Sequence, residues 1–284
     1  MPPEVPSGNR VVLITGASAG FGKACAEHLC SRGFQVYGTS RSAHFDAAPS
    51  TKGTGQPSFV TIPMDVRDTA SVNRGIEYIL KKEGRLDVVV NNAGFGLAGA
   101  FEDCSVAEVK DQFETNVFGV VRVCQSVIPH MRQQKKGIVV IVGSLAGRIG
   151  VPFQSAYSAS KFALEGFAET LRMEVKPFGV HVVLIQPGDF KTEFTRNRIF
   201  AEKATANSIY ARAFKRAIDV MENDEQNGPP PVEVALLLEK ILQTPTPALR
   251  YPVGKLSDRF AAKLKDFLPG KVFEWLVMKT YKLR

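Results

Sequence analysis

Apolar runs at Val11–Ile14 and at residues 86–90, 138–142 and 180–185, broken only by Asp87 and His181, dominate the pattern of the chain. A strand with one wet face alternates apolar and polar positions; an unbroken run predicts a strand covered on both faces, as in a parallel sheet. Residues 35–39 and 59–62 read as two shorter strands. Ahead of them, Ala24, Cys25, Leu29 and Cys30 recur at helical spacing over residues 20–32, and Gly33 stands where a helix C-terminus needs a left-handed residue. The same periodicity predicts helices over residues 69–82, 106–134 (one long helix), 155–176 and 232–242, with a last strand at 249–252. Strand and helix in alternation imply right-handed βαβ crossovers, hence an α/β, doubly wound, parallel sheet of about seven strands flanked by helices. After Pro187 and Gly188 the regularity lapses, so residues 189–231 are expected to form a substrate-binding loop region and 255–284 a C-terminal helical extension. No repeat or linker divides residues 1–284, which predicts a single domain behind a disordered lead-in at 1–9.

Composition narrows the class. With 44% hydrophobic and 23% charged residues and no apolar run of about twenty residues, a soluble protein is expected. Residues 1–10 lack the basic, apolar, small-residue order of a secretory signal, which predicts a cytoplasmic protein. A net charge of +8 admits nucleic acid, an anionic membrane or an anionic cofactor as partner. The basic residues are scattered rather than interleaved with aromatics, which argues against nucleic acid. The tail from Lys255 is the exception: eight basic and three acidic residues surround Phe260, Leu264, Phe267, Leu268, Phe273, Trp275, Leu276 and Val277. Two readings stand, a peripheral membrane contact and a helix pair packed over the substrate site or on a neighbouring subunit. Cys25, Cys30, Cys104 and Cys124 show no CxxC spacing, so neither a metal site nor a disulfide framework is expected.

Residues 15–22, Thr-Gly-Ala-Ser-Ala-Gly-Phe-Gly, join the first strand to the first helix. Glycines there let the backbone turn tightly and approach a pyrophosphate, while the helix N-terminus offers free N–H groups and a positive dipole end. Gly16, Ser18, Phe21 and Gly22 are therefore candidate cofactor residues in a Rossmann-type fold. At the end of the second strand, a carboxylate would accept the ribose 2′-OH of NAD and repel a 2′-phosphate; this chain has Thr39, Ser40 and Arg41 instead. Hydroxyls and a guanidinium suit a phosphate, so Ser40 and Arg41 favour NADPH/NADP+ over NADH. Asp65 and Val66 after the third strand, and Asn91, Asn92, Ala93 and Gly94 after the fourth, fall on the same edge. Asp65 can accept from the adenine amino group, Asn91 can brace neighbouring strands, and Ala93 and Gly94 leave room for a ribose.

Ser144 ends the fifth long strand, Tyr157 opens the next helix, and Lys161 follows one turn later on the same face. A nearby ammonium favours phenolate and is expected to lower the tyrosine pKa, fitting Tyr157 to exchange a proton with a carbonyl or alcohol oxygen. Ser144 can donate to the same oxygen. Taken together, the glycine turn at 15–22, Asn-Asn-Ala-Gly at 91–94, Asn116, Ser144 and Tyr157-Ser-Ala-Ser-Lys161 occur in one order and spacing. The sequence resembles the short-chain dehydrogenase/reductase family over residues 11–195. Residues 150–153, 160–166 and 177–180 look like its hydroxysteroid and retinol dehydrogenase branch. The resemblance implies that Asn116 holds a water on a proton path to Lys161 and that Lys161 also bonds the nicotinamide ribose. It also implies that Pro187, Gly188 and Thr192 orient the carboxamide, and that homodimers or homotetramers form through the long fourth and fifth helices. Two departures are Gly143, where many relatives have a second serine, and Ala19, where some NADPH users carry a basic residue.

Phe95, Leu97, Val151, Phe153 and Phe190 are expected to face the nicotinamide, with Phe194, Ile199, Phe200 and Tyr210 closing over them. Such a lining suits a small hydrophobic carbonyl or alcohol substrate: steroid, retinoid, lipid or aromatic. The alternatives are a lipid-ketone reductase working at a membrane surface and a non-catalytic NADP-binding regulator. Regulators of that kind usually lack the tyrosine or lysine, and here Ser144, Tyr157 and Lys161 are all present.

Overall fold

The computed structural model describes residues 10–45 and 58–284. The expected lead-in at 1–9 and residues 46–57 of the polar loop after Arg41 lie outside that range. β1 (Val11–Ile14), α1 (Gly20–Ser31), β2 (Gln35–Ser40), β3 (Val60–Pro63), α2 (Thr69–Glu83) and β4 (Val88–Asn91) follow the predicted alternation. β5 (Leu97–Ala98), α3 (Val106–Phe113), α4 (Gly119–Gln134), β6 (Gly137–Val142), α5 (Ser155–Val175), β7 (Val180–Pro187) and β8 (Ile199–Phe200) carry it on. α6 (Ala211–Gln226), α7 (Val232–Gln243), β9 (Arg250–Val253), α8 (Leu256–Leu264) and α9 (Gly270–Thr280) complete it. Seven strands form one parallel sheet in the order β3-β2-β1-β4-β6-β7-β9.

The apolar runs have a direct physical reason. Along β1, Val11 and Leu13 enter one core with residues of α2, α4 and α5, while Val12 and Ile14 enter a second core with residues of α1 and α7. Successive side chains point to opposite faces, and each face is covered by helices, so no position can be polar. The order reverses direction between β1 and β4, and the crevice at their carboxyl ends is where ligands settle in open α/β sheets.

Three local expectations change. The predicted helix over 106–134 is interrupted by a five-residue π-helical segment at Glu114–Phe118; hydrophobic spacing alone cannot reveal one inserted residue per turn. Asn91 does not brace neighbouring strands: its side chain is buried against Cys124 Sγ at 3.6 Å, and Asn92 does the bracing. Residues 189–231 are not wholly irregular, since β8 pairs in parallel with β5 and α6 spans sixteen residues.

Candidate active site

One cavity of about 1070 Å³ runs along the carboxyl edge of the sheet. At one end lies the glycine turn. Gly16 has φ +66°, and a Cβ there would stand 3.0 Å from Ala93 Cα; a Cβ on Gly22 would stand 2.4 Å from Gly16 O and 2.5 Å from Asn92 Nδ2. Only glycine permits this tight loop. Asn92 Nδ2 donates to Thr15 O at 2.9 Å and Gly16 O at 3.1 Å, tying the turn to the end of β4.

Gly16, Ser18, Phe21, Ser40, Arg41, Asp65, Val66, Asn92, Ala93, Gly94, Pro187, Gly188 and Thr192, all predicted for the cofactor, line this cavity. Gly22 does not; it lies behind the wall and supports the turn. Arg41 is exposed at the rim. Beside it Ser18, Ser40, Ser42 and Lys23 line a small adjoining pocket, with Ser40 Oγ and Ser42 Oγ 3.1 Å apart. Lys23 and Ser42 were not anticipated, because Lys23 sits on α1, far along the chain from Arg41. Asp65 uses Oδ1 to accept Arg67 N at 2.9 Å. The helix N-terminus that follows the glycine turn, the lack of a carboxylate among the described residues directly after β2, and this hydroxyl and cation group fit a phosphorylated dinucleotide.

Ser144, Tyr157 and Lys161 share the same cavity. Tyr157 and Lys161 are buried, with Lys161 Nζ 5.7 Å from the Tyr157 ring centre. That lysine donates to Val142 O at 2.8 Å. The expected lowering of the tyrosine pKa is reversed here: burial pushes Tyr157 up to about 12, with the Ser144 hydrogen bond pulling the other way. Burial also takes Lys161 down to about 8. Desolvation of both groups outweighs the attraction that the one-turn spacing suggested. Ser144 Oγ accepts from Ala146 N at 3.0 Å and donates to Pro187 O at 3.5 Å, which orients it from both sides.

Asn116 lies in the π-helical segment, buried outside the cavity lining. Its Oδ1 accepts Phe95 N at 3.1 Å, and its Nδ2 donates to Phe95 O at 3.0 Å and Ser160 Oγ at 3.3 Å. The side chain pins the loop after β4 to α5. π-bulges often occur at functional sites.

Of the expected substrate contacts, Phe95, Val151 and Phe190 line the cavity, as do Phe194 and Ile199. Phe153 does not: with φ +61° it packs edge-on against Phe214 at 5.6 Å in a separate small core. Leu97, Phe200 and Tyr210 also lie off the lining. The C-terminal helices pack over the cavity, one of the two arrangements expected of the tail: Leu264, Phe273, Leu276 and Val277 close one side, joined by Ala261 and Tyr281, which the sequence did not single out. Lys265 Nζ donates to Arg148 O at 2.7 Å and Arg148 pairs with Asp266 at 2.7 Å, fastening α8 to the loop after Ser144.

A doubly wound parallel sheet with this glycine turn and a Ser, Tyr and Lys group at its carboxyl edge defines a nucleotide-dependent oxidoreductase. The family described as short chain dehydrogenase matches residues 10–203, and the chain belongs to it; that family binds nicotinamide cofactors. A 3-ketodihydrosphingosine reductase of Bacteroides thetaiotaomicron is 41% identical over 275 residues, covering 97% of this chain and 99% of that protein. Human 17-beta-hydroxysteroid dehydrogenase type 1 is 36% identical over 252 residues, covering 85% of this chain and 76% of the relative. A short-chain dehydrogenase from Streptomyces avermitilis superposes with a TM-score of 0.79 at 33% identity, over 95% of this chain and 97% of that one.

Proposed function

We propose that this chain is an NADPH-dependent reductase of a hydrophobic ketone, and that the ketone is a long-chain lipid of the 3-ketodihydrosphingosine type. The observation that carries the reading is the shared cavity: Tyr157 and Ser144 stand in the same space as the apolar side chains Leu264, Phe273, Leu276 and Val277. The 41% identity along nearly the full length of the Bacteroides reductase supports the lipid class over a sugar or small acid. Residues 1–284 act as one domain in this reading, since α8 and α9 line the same cavity as the turn after β1.

NADPH, when bound, supplies the hydride. Gly16, Ser18, Phe21, Asn92, Ala93 and Gly94 hold it along the strand ends; Arg41, with Ser40, Ser42 and Lys23, takes its 2′-phosphate. Tyr157 gives its phenolic proton to the ketone oxygen and Ser144 donates a hydrogen bond to that oxygen as charge develops. Lys161 restores the proton balance of the tyrosine, and Asn116 keeps Phe95 and α5 in register. The net change is ketone, NADPH and a proton to secondary alcohol and NADP+. Tyr157 is protonated at neutral pH, and the Ser144 hydrogen bond, which opposes the rise of its pKa to about 12 by burial, supports release of that proton.

Among the described residues no helix is long and apolar enough to cross a membrane. Leu256, Phe260, Phe267 and Trp275 are exposed among Lys263, Lys271 and Lys279 in the C-terminal extension, which supports an enzyme touching an anionic membrane from which its lipid enters; the proposed location is cytoplasmic. Exposed Phe118 and Met173, beside α4 and on α5, support self-association there.

The test follows loss of NADPH absorbance with 3-ketodihydrosphingosine, a 17-ketosteroid and a keto sugar, run beside Tyr157→Phe. Turnover of the lipid ketone, lost in the variant, is expected. Faster reduction of the sugar, or no lipid turnover with the steroid reduced, would overturn the substrate class.

A further inference from the structure

Four carboxylates from separate parts of the chain meet on the cavity wall: Asp189 just after β7, Asp224 and Glu225 near the end of α6, and Asp258 in α8. Their charges reach one another. Burial first, then the charges of Asp258, Glu225 and Asp224, raise the Asp189 carboxyl to about 7, against a smaller opposing pull from Lys255. Glu225 is neutralised locally, because the wholly buried Arg198 side chain pairs with one oxygen and Thr195 Oγ1 donates to the other at 2.5 Å. Lys255 spends a donor on Asp224 O at 3.1 Å.

The remaining acceptors are short of donors. No hydrogen bond or ion pair reaches the Asp189 carboxylate among the described residues. Asp258 takes Ser257 Oγ on Oδ1 at 2.9 Å, while its Oδ2 is buried with no partner. The largely buried phenol of Tyr281, after α9, lines the same space with no hydrogen-bond partner among the described residues, and burial followed by these same carboxylates pushes its pKa up. Gly188 makes the approach possible, since a Cβ there would stand 2.9 Å from Asp258 Oδ2. A buried acceptor such as Asp258 Oδ2, left without a donor beside carboxylates of the same sign, is costly unless a cation enters. A primary ammonium, with three donors and a single charge, matches Asp189, Asp258 and Tyr281 as acceptors.

The location ties this group to the chemistry. Asp189 lies two residues beyond Pro187, whose carbonyl receives Ser144 Oγ, and the charges of Glu225, Arg198 and Asp189 are all felt at Tyr157. We propose that Asp189 and Asp258, with the hydroxyl of Tyr281, bind a primary ammonium carried beside the reacting carbonyl, so that the enzyme selects long-chain 2-amino ketones over plain lipid ketones and steroids. This deepens the lipid-ketone reading and rests on it. The ammonium helps Asp189 to ionise, and the apolar side chains of α8 and α9 take the alkyl chain.

The experiment compares 3-ketodihydrosphingosine with 1-hydroxyoctadecan-3-one, which lacks the amine, in wild type, Asp189→Asn and Asp258→Asn, with NADPH. In parallel, calorimetry compares binding of dihydrosphingosine and octadecane-1,3-diol. Wild type should favour the amine in kcat/KM and in affinity by roughly 10–100-fold, the scale of a desolvated charged hydrogen bond, chiefly through KM. In both Asn variants that ratio should collapse towards one. Equal kcat/KM for the two ketones in wild type overturns the ammonium site and leaves the reductase reading intact. If neither ketone is reduced, the reductase reading falls, and binding decides the site: dihydrosphingosine held no tighter than the diol overturns it. A rise in Tm with magnesium or calcium that disappears in Asp189→Asn would assign the carboxylates to a metal and overturn it as well. Should the variants misfold, the wild-type ratios still decide.

Discussion

The carboxylate of Glu193 accepts a hydrogen bond from the backbone N–H of Gly20 at 3.0 Å. Gly20 is the first residue of α1, so a side chain from the segment after β7 sits on the dipole end that a dinucleotide phosphate would use. Two anions cannot share that end without repulsion. A nicotinamide cofactor is therefore expected to compete with Glu193, whose neighbours Thr192 and Phe194 are on the cavity wall. Glu193→Gln keeps the reach and removes the charge. Its NADPH dissociation constant, read by nucleotide fluorescence, should fall by about 2–5-fold, the scale of one exposed dipole interaction; unchanged or weaker binding would show that the contact opposes nothing.

Arg41 and Lys23 make the second expectation. Arg41 lines the main cavity and Lys23 the small pocket that adjoins it, and Ser40 and Ser42 line both. Arg41→Ala should lower the ratio of NADPH to NADH kcat/KM by roughly 10–100-fold through loss of a charged phosphate contact, Lys23→Ala by less, and the pair together more than either. A ratio that survives both substitutions would move cofactor choice elsewhere.

The sheet and most of the cofactor wall were legible because one physical rule generates them: strands buried on both faces are apolar runs, and tight βα turns need glycine. Three kinds of feature were hidden. The π-helical segment at Asn116 leaves the apolar period of residues 106–134 almost unchanged. Phe153 reads as a pocket residue, yet a positive φ directs it to Phe214. The carboxylates at Asp189, Asp224 and Asp258 are unremarkable singly, separated by 35 and 34 residues in the numbering, and become a group only when α6 and α8 fold onto the end of β7. Local spacing carries no record of such tertiary convergence.

Lys161 gives a pH prediction. Its pKa is taken from the ordinary lysine value of 10.5 to about 8 by burial, so the ammonium form prevails below about 8 and is lost above it. If that charge serves the Tyr157 proton exchange, kcat/KM for NADPH, which reports the free enzyme, should fall as pH rises through about 8. Lys161→Arg should shift that inflection upward while retaining part of the rate. Stability has the opposite sign: the folded state binds fewer protons than the unfolded chain between about 8 and 10.5, so Lys161 makes unfolding harder as pH rises across that window. A profile flat to pH 10 in wild type would remove Lys161 from the proton path.

Thr15 concentrates the mechanical role of the site in one hydroxyl. Its Oγ1 accepts Asn92 N at 2.9 Å and Ala93 N at 3.0 Å, and lies 3.4 Å from Val90 O as a donor. The end of β1 thereby holds the loop after β4, against which Gly16 packs. Thr15→Val preserves shape and strands two N–H groups, on Asn92 and Ala93, both residues of the cavity wall. With each unsatisfied buried donor costing about 1–3 kcal/mol, the variant should lose roughly 2–4 kcal/mol of stability, which is about 5–10 °C in Tm for a chain this size. NADPH affinity should fall with it, because the loop carrying Ala93 and Gly94 loses its anchor. Thr15→Ser, which keeps the oxygen, should restore most of both. A Tm and an affinity for Thr15→Val equal to wild type would show that water replaces the hydroxyl at no cost, and the anchor would then belong to Asn92 alone.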